Sequence, residues 1–220
     1  MENTAVLEGA SVKENSAPLT IFGIKSCYFF VAMMVFAFLG FWVENIARMI
    51  TKNVFDSRHQ LLPFLFAYGL ALLAIYIVLG TPDEMRFFNI RIFRKKGIKS
   101  RVLSHLSYFL VICAFIMLGE IGVGMIYEKV AGVILWDYTS IPTHITRYTS
   151  LITTALFGGG VYAIMAFAFR PMIKLISKMG TTAATVLDCT LGVAIIIDFL
   201  IMILYTFITG SAPEYWSVAW

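Results

Sequence analysis

Several ionisable side chains lie within or beside long apolar stretches of this 220-residue sequence. Glu44, Glu120 and Asp198 fall inside such stretches, and Asp137 and Arg147 belong to a polar segment between two of them. A charge inside an apolar segment is costly, so each one is a functional hypothesis by default. Carboxylates facing arginines are suited to binding a small polar ligand or an ion. The candidate binding residues are Glu44, Arg58, Glu120, Asp137, Arg147 and Asp198.

The same residues also have a purely structural interpretation. A carboxylate in an apolar, low-dielectric environment is tolerated where an arginine guanidinium or hydroxyl groups donate hydrogen bonds to it. Glu44 and Glu120 would then pair with Arg58 and Arg147 and tie polar loops onto the bundle, instead of lining an outward-open pocket. For Asp198 the alternatives are a hydrogen bond in helix packing and a proton or cation site.

The elements that must position these residues are membrane-spanning helices. The chain is 60% hydrophobic and only 14% charged, which is too apolar for the surface of a soluble domain. Several apolar runs approach the ~20 residues that cross a bilayer as a helix. We predict an all-α polytopic transmembrane bundle, residues 23–220, after a flexible cytoplasmic tail, residues 1–22. The predicted spans are residues 26–49, 61–80, 104–127, 151–169 and 187–209.

Lysine and arginine set the predicted orientation, because cytoplasmic loops carry their excess. They concentrate in residues 86–101 and 170–180, on the same side as the N-terminal tail. The N-terminus is therefore expected inside and the C-terminus outside, so that residues 132–150 face outward. Residues 86–101 could also bind anionic lipid headgroups or an acidic partner. Alternatively, their positive charge only keeps this loop on the cytoplasmic side.

Sequence motifs for catalysis are missing. The sequence has no Walker loop, no zinc-protease or serine-hydrolase motif and no Cys-x-x-Cys pair. The histidines His59, His105 and His144 fall on both sides of the predicted bundle and cannot converge on one metal. We expect no enzyme, no cofactor, no metal site and no nucleic-acid partner, with the lipid bilayer as the surrounding partner.

A faint internal repeat links the outward-facing groups. Leu39-Gly40 precedes Phe55-Asp56 as Leu118-Gly119 precedes Trp136-Asp137, which is typical of two parallel span–loop–span units. Residues 158–160 are three successive glycines, which either allow close helix packing or bend the helix.

Three stretches carry a resemblance to a known family. They are Gly40-Phe-Trp-Val-Glu44, the segment Ser57-Arg58-His59 continuing through Pro63 to Tyr68-Gly69, and the segment Glu128-Lys129-Val130 continuing to Leu135-Trp136-Asp137-Tyr138-Thr139. Over about residues 28–170 the chain resembles the bacterial family of type IV ABC-transporter permeases. It departs from the family pattern at Ser57, His59 and Thr139, where the family has Asn, Gly and Ser.

The resemblance implies a permease-like subunit in the bacterial cytoplasmic membrane that lacks its own ATPase. Such a subunit would recruit a separate ATPase through residues 86–101 and 170–180 and would form a homo- or hetero-oligomer. The resemblance also implies a motif or structural role for Trp136, Tyr138, Pro63, Tyr68, Gly69 and Glu128. The alternative is a non-transporting membrane sensor or assembly protein in which the outward polar residues are structural.

Overall fold

The computed structural model describes residues 20–88, 90–93 and 97–220. In this part of the chain five helices are long and apolar enough to cross a membrane, which confirms the predicted all-α bundle. Spans one to five are Ser26–Lys52, Phe66–Glu84, Ile98–Ala131, Leu151–Met179 and Thr181–Thr209. The expected tail, residues 1–22, lies almost wholly outside the described residues.

Three of the five spans contain a π-helical turn. The α-helices are α1 (Ser26–Lys52), α2 (Phe66–Leu79), α3 (Ile98–Ile126), α4 (Leu151–Ala163), α5 (Phe169–Ile176), α6 (Thr181–Leu187) and α7 (Val193–Thr209). The π-helical turns are Tyr127–Ala131, Ile164–Ala168 and Asp188–Gly192, and the 3-10 turns are Pro82–Glu84 and Ser177–Met179. Each π turn continues a helix, so the backbone stays internally hydrogen-bonded as the hydrocarbon region requires.

Several span ends differ from the predicted ones, most clearly between spans four and five. Residues 170–180 were expected to connect these spans as a loop or a short interfacial helix, and α5 with the turn Ser177–Met179 continues span four through most of this segment. Span five therefore begins at Thr181 and not at residue 187. The break falls at Gly180, whose φ of +82° is a left-handed conformation that glycine adopts without a steric penalty.

Eight short strands pair antiparallel in the described residues. Three pairs are local: β1 (Thr20–Ile21) with β2 (Ile24–Lys25), β4 (Arg86–Phe87) with β5 (Ile90–Arg91), and β6 (His144–Thr146) with β7 (Thr149–Ser150). The fourth pair joins β3 (Val54–Asp56), directly after α1, to β8 (Ser217–Ala219) near the C-terminus. This pair holds the C-terminal segment against the loop between spans one and two.

The centre of the bundle is α1, which packs against α2 and against the α5 and α6 regions. At Gly69 the helices α1 and α2 come so close that an added Cβ would lie 2.4 Å from the Met33 carbonyl oxygen. At Gly158 an added Cβ would lie 2.5 Å from Cys113 Sγ, across the contact of α3 with α4. Because α4 stays helical through all three glycines, Gly158 serves close packing and not a bend.

The bundle has two distinct ends. The upper end carries β3, β8 and residues 132–150, and the lower end carries the β1–β2 and β4–β5 hairpins and the turn Ser177–Met179. The predicted topology puts these two groups on opposite sides of the membrane. Which end faces the cytoplasm stays a prediction from the lysine and arginine count.

Candidate functional site

The first upper cluster consists of Glu44, Asp56, Arg58 and Tyr68. Glu44 lies two turns before the end of α1 and forms an ion pair with Arg58. The Tyr68 hydroxyl, on the first turn of α2, donates a hydrogen bond to Glu44 Oε1. Arg58 Nη1 also lies 3.9 Å from Asp56 Oδ1. The expected pairing of Glu44 with Arg58 is therefore confirmed.

Asp56 shapes the loop that presents Arg58. Its backbone N–H donates to Oδ1 of the buried Asn45 at 2.9 Å, and its carboxylate accepts from Arg48 Nη2 at 2.6 Å. Asp56 Oδ1 also accepts the Arg58 backbone N–H at 3.0 Å. Arg58 and His59 have φ values of +52° and +68°, which non-glycine residues keep only where surrounding contacts hold them.

The second upper cluster consists of Glu128, Asp137, Arg147 and Tyr148. Arg147 Nη1 lies 2.7 Å from Glu128, and its Nη2 lies 3.1 Å from Asp137. The Tyr148 hydroxyl donates to the other Glu128 oxygen at 2.6 Å. The expected pairing of Arg147 with Glu120 is wrong. Arg147 instead meets Glu128, two helical turns further along span three.

The two clusters have the same construction. In each, a glycine contacts a tyrosine ring, and that tyrosine donates to the glutamate four residues after the glycine. A Cβ on Gly40 would lie 2.7 Å from Tyr68 Cγ, and one on Gly124 would lie 2.6 Å from Tyr148 Cδ1. The repeat expected from the sequence aligned Gly119 with Gly40. In the structure Gly124 corresponds to Gly40 instead. A Cβ on Gly119 would meet nothing within 4 Å.

Glu120 lies between the two clusters. Its carboxylate accepts from the Thr149 hydroxyl at 2.6 Å and from the Tyr138 hydroxyl at 3.3 Å. Burial, then the charge of Glu120 and the hydrogen bond to it, raise the pKa of Tyr138 to about 12, and the charge of Glu44 adds to this effect. Tyr138 thus contacts Glu120 directly, and only a weak effect of the Glu44 charge reaches it.

Residues 136–138 each contact a different part of the upper end. The Trp136 indole N–H donates to the Tyr148 carbonyl oxygen at 2.7 Å. Asp137 Oδ1 accepts the Thr139 backbone N–H at 2.9 Å. That backbone bond is the main reason why the pKa of Asp137 falls to about 2, and bonds from the Thr139 side chain and Arg147 add to it. Asp137 thus holds the backbone of this loop by accepting a hydrogen bond.

Asp198 belongs to a separate contact. Its oxygens accept the backbone N–H groups of Leu61 at 3.0 Å and Leu62 at 2.9 Å. Its carboxylate therefore ties span five to the irregular segment that contains Pro63 and precedes α2, where the sequence predicted helix. Because both oxygens are occupied by backbone donors, the structure favours the packing alternative for Asp198 over the cation alternative.

Sequence reasoning missed several polar residues of this region. Thr149 is fully buried and links Glu120 to the Thr154 hydroxyl at 3.0 Å. Gln60 is 2% exposed, and its Oε1 has no hydrogen-bond partner within the described residues; the same holds for the buried Nε of Arg58. The sequence signal that could have revealed these partners of Glu120 is the pair of hydroxyl residues Thr149 and Thr154, on either side of the start of span four. Nothing in the local pattern marks Gln60 as buried.

The family comparison agrees with this architecture. The model of the family described as "Putative ABC-transporter type IV" matches residues 28–203, from the first turn of α1 into α7. No curated protein and no solved structure gives a significant match to the chain. With five apolar helices, the family match shows a multi-pass membrane protein of transporter type.

Proposed function

This chain belongs to the type IV ABC-transporter family, and we propose that it is a permease-like subunit without its own ATPase. The observation that carries the proposal is the family match, which reaches all five spans. The sequence contains no Walker loop, so the proposal includes a separate nucleotide-binding subunit that supplies ATP hydrolysis. Five spans per chain favour a homo- or hetero-oligomer around one transport path.

The proposed contact with the ATPase is the lower end, through residues 86–101 and 170–180. In the second segment, α5 buries Phe169 and Ile176 against the bundle and carries the basic residues Arg170 and Lys174. Because α5 continues span four through the π turn Ile164–Ala168, a movement imposed at the lower end would be passed into the membrane. This placement is consistent with a coupling role.

For the upper end we propose a polar ligand or ion site around Glu44, Arg58 and Glu120. The buried Arg58 Nε and Gln60 Oε1 lack partners within the described residues, and a buried donor and acceptor of this kind call for a water or ligand. A bound ligand would share Arg58 with Glu44. The second upper cluster, with Asp137 and Arg147, would hold the outer loop closed above the site.

One observation favours the alternative function, a non-transporting sensor or assembly protein. Glu128, Asp137 and Arg147 satisfy one another, and both Asp198 oxygens are occupied. Such closed arrangements need no ligand. In this alternative the upper clusters only tie the loops onto the bundle.

Purification of the intact protein from its native membrane in mild detergent tests the proposal. The expected result is a stoichiometric co-eluting ATPase chain, which Lys178→Glu at the lower end releases. Lys129→Glu, an equal charge reversal on an exposed upper-end residue, is the matched control and should leave the complex intact. A homo-oligomer without an ATPase would overturn the permease proposal and support the alternative.

A further inference from the structure

A cavity of about 330 Å³ lies at the lower end of the bundle, remote from both upper clusters. Its charged lining includes Arg86, Arg170 and Lys174, and Tyr76 and Phe169 form part of its apolar wall. The volume is in the range of small-molecule sites, which are typically about 300–1,000 Å³. We propose that this cavity binds the phosphate headgroup of an anionic phospholipid. The inference is independent of the proposed transport function.

Arg86 is held in place within the cavity wall. Its guanidinium carbon lies 3.5 Å from the centroid of the Phe22 ring and 5.0 Å from that of Tyr76. Its Nη2 donates to the Tyr76 carbonyl oxygen at 3.2 Å. A guanidinium held against two aromatic rings loses little side-chain entropy when it binds a phosphate, and its planar fork suits phosphate oxygens.

The other two cations come from α5. Arg170 pairs with Glu84 at 2.9 Å and donates to the Thr81 hydroxyl at 3.2 Å, both through Nη2. Lys174 follows four residues later on the same helical face. Among the residues that the structure describes, the cavity lining therefore gathers three cations and one carboxylate, that of Glu84. That excess of positive charge favours an anionic occupant.

The surroundings favour a lipid over a soluble phosphate compound. Directly after Arg86, the β4–β5 hairpin exposes Phe87 and Phe88, each at 51%, and Ile90 at 65%. Exposed aromatic and aliphatic residues beside basic ones at the end of a membrane bundle are typical of a segment in the headgroup region. Lipid phosphates lie at that level, and the apolar wall of Tyr76 and Phe169 suits the glycerol and the start of an acyl chain.

The test uses the full chain, exchanged into detergent with equal amounts of phosphatidylglycerol and phosphatidylcholine, and read by native mass spectrometry. We expect several-fold more retained phosphatidylglycerol. Arg170→Gln and Lys174→Gln should each reduce that preference roughly fivefold, the effect of about 1 kcal/mol per basic residue near a lipid surface. Lys178→Gln, the next basic residue along the chain and not part of the cavity lining, is the matched control and should retain it.

A second arm separates the possible sources of phosphate. Inorganic phosphate at millimolar concentration should not displace the bound phosphatidylglycerol, since the lipid also occupies the apolar wall. Equal retention of the two lipids would overturn the inference, as would an unchanged preference in both cavity variants. Displacement by inorganic phosphate would overturn the lipid assignment in favour of a soluble ligand. Gel filtration of each variant identifies any that fails to fold. If Arg170→Gln fails, Lys174→Gln carries the test alone, because the Lys174 side chain makes no ion pair within the described residues.

Discussion

In each upper cluster a glutamate lies near the C-terminal end of a helix and has to be stabilised there. Glu44 lies two turns before the end of α1, and Glu128 lies in the π turn that ends span three. The helix dipole is negative in the last turn, where it disfavours the Glu128 carboxylate, and the partly buried Glu44 carboxylate is costly without a cation because it is desolvated. Arg58 and Arg147 supply that cation. A tyrosine hydroxyl donates a hydrogen bond to the glutamate in each case. The glycine four residues before that glutamate leaves space for the tyrosine ring.

The glycines are the most sensitive part of this construction. Gly124→Ala would place a methyl group 2.6 Å from the Tyr148 ring. We expect a loss of about 1–3 kcal/mol in unfolding free energy, as is usual for overpacking. Gly119→Ala, on the same helix with open space at its Cβ, should be neutral or slightly stabilising because alanine favours helix. Thermal unfolding in detergent measures both, and equal midpoints for the two variants would contradict the packing argument.

The Tyr68 hydroxyl should contribute to stability through Glu44. Tyr68→Phe removes a donor from a partly buried carboxylate, and hydrogen bonds to charged groups contribute about 1.5–3 kcal/mol. We expect a loss of that order in the unfolding free energy. Tyr205→Phe is the control, because Tyr205 is 44% exposed on α7 and its loss should change stability by less than about 0.5 kcal/mol. Similar values for the two variants would show that the Glu44–Tyr68 contact is not structural.

The lowered pKa of Asp137 implies that the stability of residues 132–150 at the upper end depends on pH. Its pKa is lowered from 3.8 to about 2 in the folded protein, first by the Thr139 backbone bond. A carboxyl with a depressed folded pKa stabilises the fold above its unfolded pKa, and that stabilisation is lost as the pH falls through the folded value. Wild type should therefore unfold at a higher temperature than Asp137→Asn at pH 5, and the difference should shrink steadily as the pH falls from about 4 through about 2. A difference that is constant with pH would count against this assignment.

At the scale of elements, apolar length predicted the five spans well but not their ends. Residues 170–180 combine basic side chains with apolar ones, and this composition suits both a cytoplasmic loop and an interfacial helix. Only the packing of Phe169 and Ile176 against the bundle decides for the helix. The pairing of Arg147 failed for a similar reason. Glu120 and Glu128 lie two turns apart on one span. The sequence alone does not show which of these two carboxylates Arg147 lies beside when residues 132–150 fold back onto the upper end.

The β3–β8 pair leads to a prediction about the C-terminal segment. Trp216 lies directly before β8, and its ring is 5.2 Å from Phe55 and 6.3 Å from Phe41. Trp216→Ala should lower the unfolding free energy by about 1–3 kcal/mol, since a half-buried aromatic contact is lost. Trp220→Ala, at a position that is 64% exposed, is the matched control and should have little effect. The reverse order of the two variants would contradict the arrangement of the upper end.

At the scale of the whole molecule, the structure makes the two ends chemically different. The lower end gathers basic residues around the cavity of Arg86, Arg170 and Lys174. At the upper end the arginines of the two clusters are already paired with carboxylates. The positive-inside rule counts lysine and arginine and not net charge, so the orientation rests on that count alone and not on this pairing. In the predicted orientation the lower end is the one that an ATPase can reach.

Thiol labelling on intact cells tests this orientation directly. In a variant without Cys27, Cys113 and Cys189, a cysteine at Ser140 of the upper end should react with a membrane-impermeant maleimide. A cysteine at Ser177 of the lower end should react only after the cells are permeabilised, and both positions are exposed. Labelling in the reverse order would place residues 170–180 outside the cell, away from ATP. The proposed ATPase contact would then be excluded, while the phosphate cavity would be tested unchanged on the opposite leaflet.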